Sequence, residues 1–248
     1  MNPCYGDDMA TFTWTPTPEE SEFWRIFELV RTDVAAAIKS HNMYLTIYNL
    51  KAAEEQIQGK ISRYPEFWTM TLFSLQTTFF ISFGRVFDDR ADSLSIQKLI
   101  DFVSTFPPVF SKPRLLARKR FDHRIVGDDP EWLVEYVRAA WEPERVDLEA
   151  LRTALRPHRD KFKEIYDPIR NKVYAHRSKE DAAAVYSLFG RTLVGDIELI
   201  LRFLHTLLWA IQEMACDGRR PDLTNVSDYE RYVRDLRAET EAFIRQLA

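Results

Sequence analysis

Apolar positions recur three and four residues apart along most of the chain, and the alternation expected of half-buried strands is nearly absent. The first apolar stripe is Phe23, Ile26, Phe27, Val30, Val34 and Ile38. It opens at Thr17–Pro18 with Glu19, Glu20 and Glu22 in the first turn, where carboxylates complement the helix dipole. The pattern predicts that this helix, or a second one, continues from about His41 to Gln58 and stops at Gly59. A long aromatic helix is expected from Pro65 to about Asp89. A shorter one should start at Asp92–Ser93, run through Leu99, Ile100 and Phe102, and end at Pro107–Pro108. Two more short helices are predicted at Lys112–Phe121 and Pro130–Trp141. Asp147 reads as the cap of a helix running towards Tyr166, and Asp167–Pro168 as a cap and first-turn proline that restart it. A long apolar helix is expected from Thr192 to Ala215 with its stop at Gly218. The last helix should open with a capping box, Ser227 with Glu230. The fold class is therefore all-α. Residues 1–17 read as a flexible arm, 18–218 as the main helical domain, and 219–248 as a terminal helix packed on it or extending from it.

Composition removes some alternatives. The 18 residues from Phe67 to Gly84 carry no charge and approach spanning length. Seven hydroxyl or amide side chains among them (Thr69, Thr71, Ser74, Gln76, Thr77, Thr78, Ser82) favour a buried central helix over a membrane span. Cys4 and Cys216 are far apart in the chain and follow no ligand spacing, and no signal peptide precedes them. We expect a reducing, cytoplasmic setting and no disulfide framework. The net charge of −4 does not advertise nucleic-acid binding. Its distribution is uneven, however. Residues 112–179 hold 17 Lys/Arg against 12 Asp/Glu, whereas residues 1–111 hold 9 against 14 and residues 180–248 hold 8 against 12. A basic middle suits a polyanion site or simply a solvated surface. The run Lys112, Arg114, Arg118, Lys119 and Arg120 is its densest part.

Most enzyme signatures are missing: there is no GxGxxG, Walker loop or GxSxG. None of the five histidines has a His, Glu or Asp three or four residues before it, so HExxH and Glu-x-x-His are absent too. No metal or cofactor is expected. What remains is DPIRNKVYAHRS, residues 167–178. Metal-free RNA cleavage must deprotonate a 2′-hydroxyl, protonate a 5′-oxygen and stabilise phosphorane charge. His176 can move protons near neutrality, Arg170 offers phosphate a rigid fork of donors, and Asn171 can orient the substrate or the ring.

This segment resembles the signature of the HEPN superfamily, in which an arginine and a polar residue precede a histidine by a short spacer; here five residues separate Arg170 from His176. Together with FGRVFDDRADSLSIQKLI, residues 83–100, it is similar to the AbiU-like branch of bacterial abortive-infection proteins. The resemblance implies a HEPN-like helical bundle with additional short helices. It also implies a metal-independent endoribonuclease that acts as a homodimer in phage defence or a toxin–antitoxin pair, with an antitoxin protein as a further partner. By position, Arg170, Asn171 and His176 would be catalytic. Tyr174, Arg177 and the basic run would contact RNA, and Asp167, Arg85 and Asp88 would support the site. Some HEPN toxins carry, two residues after the histidine, a tyrosine that a partner nucleotidyltransferase modifies; Ser178 stands there in this chain.

On a continuous α-helix, positions 170 and 176 lie about 9 Å apart along the axis and about 120° apart around it. A turn after Ala175 or a twofold partner would be needed to bring them onto one phosphate. Other readings stand beside this one. Arg170 can be a salt-bridge partner of Asp167, and His176 a helix-terminal histidine favoured by the dipole. Arg85 with Asp88 and Asp89 can be a structural ion-pair cluster, and Tyr174 can serve packing or base stacking. For function, the rivals are a silent HEPN module that binds RNA or nucleotides and a helical protein-interaction domain.

Overall fold

A computed structural model describes residues 15–105, 107–175 and 187–246. It is 81% helical, and no strand occurs among the described residues. The helices are α1 (Pro18–Ala53), α2 (Glu55–Arg63), α3 (Pro65–Val86), α4 (Ile96–Thr105), α5 (Lys112–Asp122), α6 (Glu131–Ala139), α7 (Arg145–Lys161), α8 (Asp167–Ile169), α9 (Val194–Asp217) and α10 (Ser227–Gln246). Two wide π-helical turns, Phe162–Tyr166 and Arg170–Ala175, flank the short α8.

The first apolar stripe runs further than expected. α1 is one helix to Ala53, and α2 passes through Gly59 before ending at Tyr64. Glycine inside a helix costs about 1 kcal/mol relative to alanine. Here the neighbouring Ile57 and Ile61 offset that by burying against Ile47, Leu50, Trp68 and Ile244. Pro65 sets the stop instead, because the residue before a proline is pushed out of the helical region. α4 begins at Ile96, later than Asp92–Ser93 suggested, since the Ser93 hydroxyl turns back to the carbonyls of Asp88 (2.9 Å) and Arg90 (2.8 Å). Asp147 is not the cap of α7 but its third residue, in a capping box with Glu144. At α10, the Asn225 side chain accepts from the backbone (3.2 Å) and hydroxyl (2.6 Å) of Ser227 and fixes the start. Gly218 ends α9 as expected, at φ 59°, a left-handed value that glycine adopts without a Cβ penalty.

The main core gathers side chains from α1, α3, α4, α7 and α9, with aromatic rings meeting edge to face around Phe23, Phe27, Phe83 and Phe162. α10 lies against α1, where Arg237 reaches Asn42 (2.9 Å) and Arg245 pairs with Glu54 (2.6 Å). No helix among the described residues is long and apolar enough to cross a membrane, and α3, which contains the uncharged run Phe67–Gly84, is a bundle helix. Cys216 is partly buried against the main core, and Cys4 lies outside the described residues.

His41 sits in α1 against Phe79, with ring centroids 5.1 Å apart. Burial, reinforced by the Arg237 charge, lowers its pKa from 6.5 to about 4. Between those two values the unfolded chain takes up the proton and the folded one does not, so stability falls as pH drops from about 6.5 towards 4. This group alone should make the protein about 2 kcal/mol less stable at pH 5 than at pH 7. Urea unfolding at the two pH values checks this: His41→Phe should lose markedly less than the parent on acidification.

Candidate active site around Arg170

The wide turns aim the motif at the C-terminal end of α3. Phe162 and Tyr166 are both buried and meet Phe83 at 5.0 and 5.7 Å, while Phe162 stacks on Phe87 at 4.7 Å. Ile169 follows them into the core. With 162, 166 and 169 fixed inward, residue 170 falls over Gly84. A Cβ built on Gly84 would collide with Cδ and Nε of Arg170 and press on Cγ at 3.1 Å. Glycine at 84 is therefore what lets the arginine lie flat against α3.

The Arg170 side chain is 19% exposed, and its guanidinium sits among oxygens. Its Nη2 is 3.8 Å from Asp88, its Nη1 is 3.6 Å from Asp167, and Nη1 donates to Asn171 Oδ1 at 3.3 Å. Its Nε is buried without a hydrogen-bond partner among the described residues. Asp88 is itself held by Arg90, whose Nε donates to both carboxylate oxygens (3.2 and 3.0 Å) and whose backbone N–H donates at 3.1 Å. Burial pushes the Asp88 carboxyl up, but the Arg90 hydrogen bonds and the charges of Arg90 and Arg170 outweigh it, so its pKa lies below the usual carboxylate value. Asp88 thus remains an anion beside Arg170 at neutral pH.

Sequence spacing grouped the supporting charges differently. Arg85 faces Asp33 at 3.6 Å rather than Asp88 or Asp89, and Asp89 pairs with Lys163 at 3.0 Å. Arg90 and Gly84 are the site residues that spacing alone did not single out. The second segment of the resemblance contained both. Tyr174 stacks on Phe80 at 4.7 Å and 13°, and also meets Phe73 at 6.3 Å, so packing is its role in the fold. Burial and then the neighbouring Tyr44 hydroxyl raise its pKa to about 12. His176 and Arg177 lie outside the described residues. The angular offset worked out for an ideal α-helix does not carry over, because Arg170–Ala175 is wound with wider i→i+5 turns. Single π-helical turns of this kind recur at functional sites.

The basic run is largely committed to the fold. Arg118 is 1% exposed and meets the buried Glu20 at 2.6 Å and the Val109 carbonyl at 3.0 Å. Arg114 also pairs with Glu20, whose other task is to accept the Thr17 backbone N–H in the α1 capping box. Lys119 pairs with Asp217 (2.6 Å), Arg120 with Asp129 (2.6 Å), and Lys112 donates to the Arg138 carbonyl (2.7 Å). These contacts tie α5 to α1, α6 and the end of α9. Among the described residues, no three His, Cys, Asp or Glu side chains gather as a metal site.

Gly84→Ala tests the platform. The atoms in the way belong to a flexible side chain, so the arginine should swing aside at little cost to the fold. We expect a melting temperature within a few degrees of the parent, together with a clear shift of the Arg170 Nε–H resonance. An unmoved resonance would contradict the close contact.

The AbiU2 family model matches residues 20–244, nearly the whole helical bundle and both the Gly84–Arg90 and Asp167–Ala175 segments. No curated protein and no solved structure matches the chain. An all-helical fold, an arginine–asparagine pair set in a wide turn, and a family match over almost the full length together place this chain in the AbiU2 family of abortive-infection HEPN domains.

Proposed function

We propose that this protein is a metal-independent endoribonuclease of a bacterial phage-defence or toxin–antitoxin system, acting in the cytoplasm. The observation that carries the proposal is Arg170: a guanidinium pre-set between Asp88, Asp167 and Asn171, on a side chain that is not fully buried. Such a group can meet a phosphate without first being ordered. Asn171 accepts from Arg170 through its oxygen and retains its amide N–H groups for substrate. His176 follows directly on the wide turn and supplies proton transfer. In the proposed step the 2′-hydroxyl gives up its proton to the imidazole, the O2′–P bond forms, and Arg170 stabilises the phosphorane. The P–O5′ bond then breaks as O5′ gains a proton. The products are a 2′,3′-cyclic phosphate and a 5′-hydroxyl end.

The second reading is a silent RNA-binding module. It is favoured by the two carboxylates beside Arg170, which compete with phosphate for the guanidinium. The two readings separate with purified protein, total RNA and a chelator. His176→Ala should lose roughly 10² to 10⁴ in rate while keeping its fold. Arg170→Lys should also fail, because a point charge does not replace a planar fork. RNA bound and left intact by the parent protein would favour the silent module, and cleavage that needs magnesium or survives His176→Ala would remove the mechanism.

The proposal includes a twofold homodimer, with the two motif turns facing one cleft. Its support is an uncharged stripe on the outer face of α3: Phe67, Met70 and Phe73 are 62%, 63% and 55% exposed, and Phe73 touches Tyr174. Apolar patches of this kind mark interaction surfaces, and an uncharged one can face its own copy without repulsion. Met70→Glu should convert a dimer into a monomer in light scattering at micromolar concentration. A parent protein already monomeric there would exclude the dimer.

A further inference from the structure

Between α1, α3 and the start of α9 lies a cleft of about 130 Å³, lined among others by Ser40, His41, Tyr44, Gln76, Phe80 and Thr192. It is too small for a drug-sized ligand, which needs roughly 300–1,000 Å³, and suits one planar ring system. Its described lining carries no Asp, Glu, Lys or Arg, so it offers nothing to pair with a phosphate or a metal ion. It does offer aromatic faces and neutral polar groups. His41 is 6% exposed, and its Nε2 has no hydrogen-bond partner among the described residues. A buried polar atom without a partner is costly, and a ligand that supplies one recovers that cost. The imidazole is neutral at physiological pH, its pKa being held near 4 by burial and by Arg237. It therefore has one donor and one acceptor nitrogen, as a base edge requires.

Two placements connect this cleft to the motif. Phe80 forms part of its wall and carries Tyr174 stacked on its ring, so the cleft and the Arg170–Ala175 turn share a side chain. On α1, His41, Tyr44 and Tyr48 follow one another at helical spacing on one face. Tyr44 and Tyr48 stack at 6.1 Å and 18°, with Tyr48 well exposed. An exposed aromatic step leading into a neutral polar pocket is how single-stranded nucleic acid is gripped, by stacking its bases and hydrogen-bonding their edges.

From this arrangement we infer that the cleft receives one unpaired RNA base next to the scissile phosphate, with Tyr48 and Tyr44 stacking its neighbour, so that the protein selects single-stranded RNA and prefers particular bases at that position. The inference rests on the ribonuclease reading for its placement beside a scissile bond. It deepens that reading by moving recognition from the basic run, whose charges are paired within the fold, to the aromatic face of α1 and α3.

The test uses the full chain and fluorescent 2′-O-methyl RNA, which binds but lacks the nucleophile. The parent protein should bind a single strand at least tenfold more tightly than the same sequence in a hairpin stem, and should rank oligonucleotides that differ at one position. His41→Phe keeps the ring beside Phe79 and removes the nitrogen, so it should fold and lose the base ranking. Thr192→Trp fills the mouth from a partly exposed position, and Tyr48→Ala removes the outer step; each should weaken single-strand binding roughly tenfold. Equal affinity for strand and stem, or a base ranking unchanged in both His41→Phe and Thr192→Trp, would overturn the inference. A change of oligomeric state in Thr192→Trp with RNA affinity intact would assign the cleft to a protein contact instead and overturn it too. Because binding is read without cleavage, an inactive protein that still ranks bases would defeat the ribonuclease reading and leave the cleft standing. An active one whose ranking ignores these variants would do the reverse.

Discussion

The motif turn can lie where it does because α3 has no side chain at Gly84. Phe162, Tyr166 and Ile169 are driven inward by the same hydrophobic burial that packs the rest of the bundle. That burial brings the next residue, Arg170, against the backbone of α3, a place where a longer side chain at 84 would stand in its way. Just beyond the end of α3, Asp88 supplies the charge that faces the guanidinium, and Arg90 holds Asp88 in place. Packing thus sets the distance, and ion pairing sets the direction. The wide turns on either side of α8 adjust the winding so that both are met.

Much of this was legible in the sequence, for reasons that differ from residue to residue. The stripe from Phe23 to Ile38, the start at Thr17–Pro18 and the stop at Gly218 rest on local chemistry, and local chemistry decided them. Gly59 misled because a locally unfavourable residue was overruled by Ile57 and Ile61 packing against distant partners. The basic run misled for a similar reason. A count of charges along residues 112–124 cannot show that Glu20, some ninety residues earlier, is buried against Arg114 and Arg118. Arg170 and Asn171 could be found because a short motif carries them. Gly84 and Arg90 act on that motif from α3 and the loop after it, and only the fold brings them to it. The π-helical winding after Lys161 has no signature in apolar periodicity, so the helix there was expected to be ordinary.

The same comparison bears on recognition. A protein with a net charge of −4 whose arginines are largely paired internally has little positive surface to draw a polyanion by charge alone. Its exposed chemistry includes aromatic faces: Tyr48 on α1, with the half-buried Tyr44 stacked on it, and Phe67 and Phe73 on α3. Affinity of that origin favours unstacked bases over a regular helix and depends less on salt than a lysine patch would. On the proposed ribonuclease reading, recognition by this protein is a matter of base access, with one pre-set arginine meeting the phosphate.

The central claim is that a histidine and an arginine, and no activated water, cut the RNA. The chemistry of the new ends tests it most directly. Mass spectrometry of fragments from a defined single-stranded RNA should find a 2′,3′-cyclic phosphate on one side of the break and a 5′-hydroxyl on the other, because the substrate's own 2′-oxygen is the nucleophile. A 5′-phosphate paired with a 3′-hydroxyl would mean that water attacked the phosphorus from the opposite side, and would contradict the account.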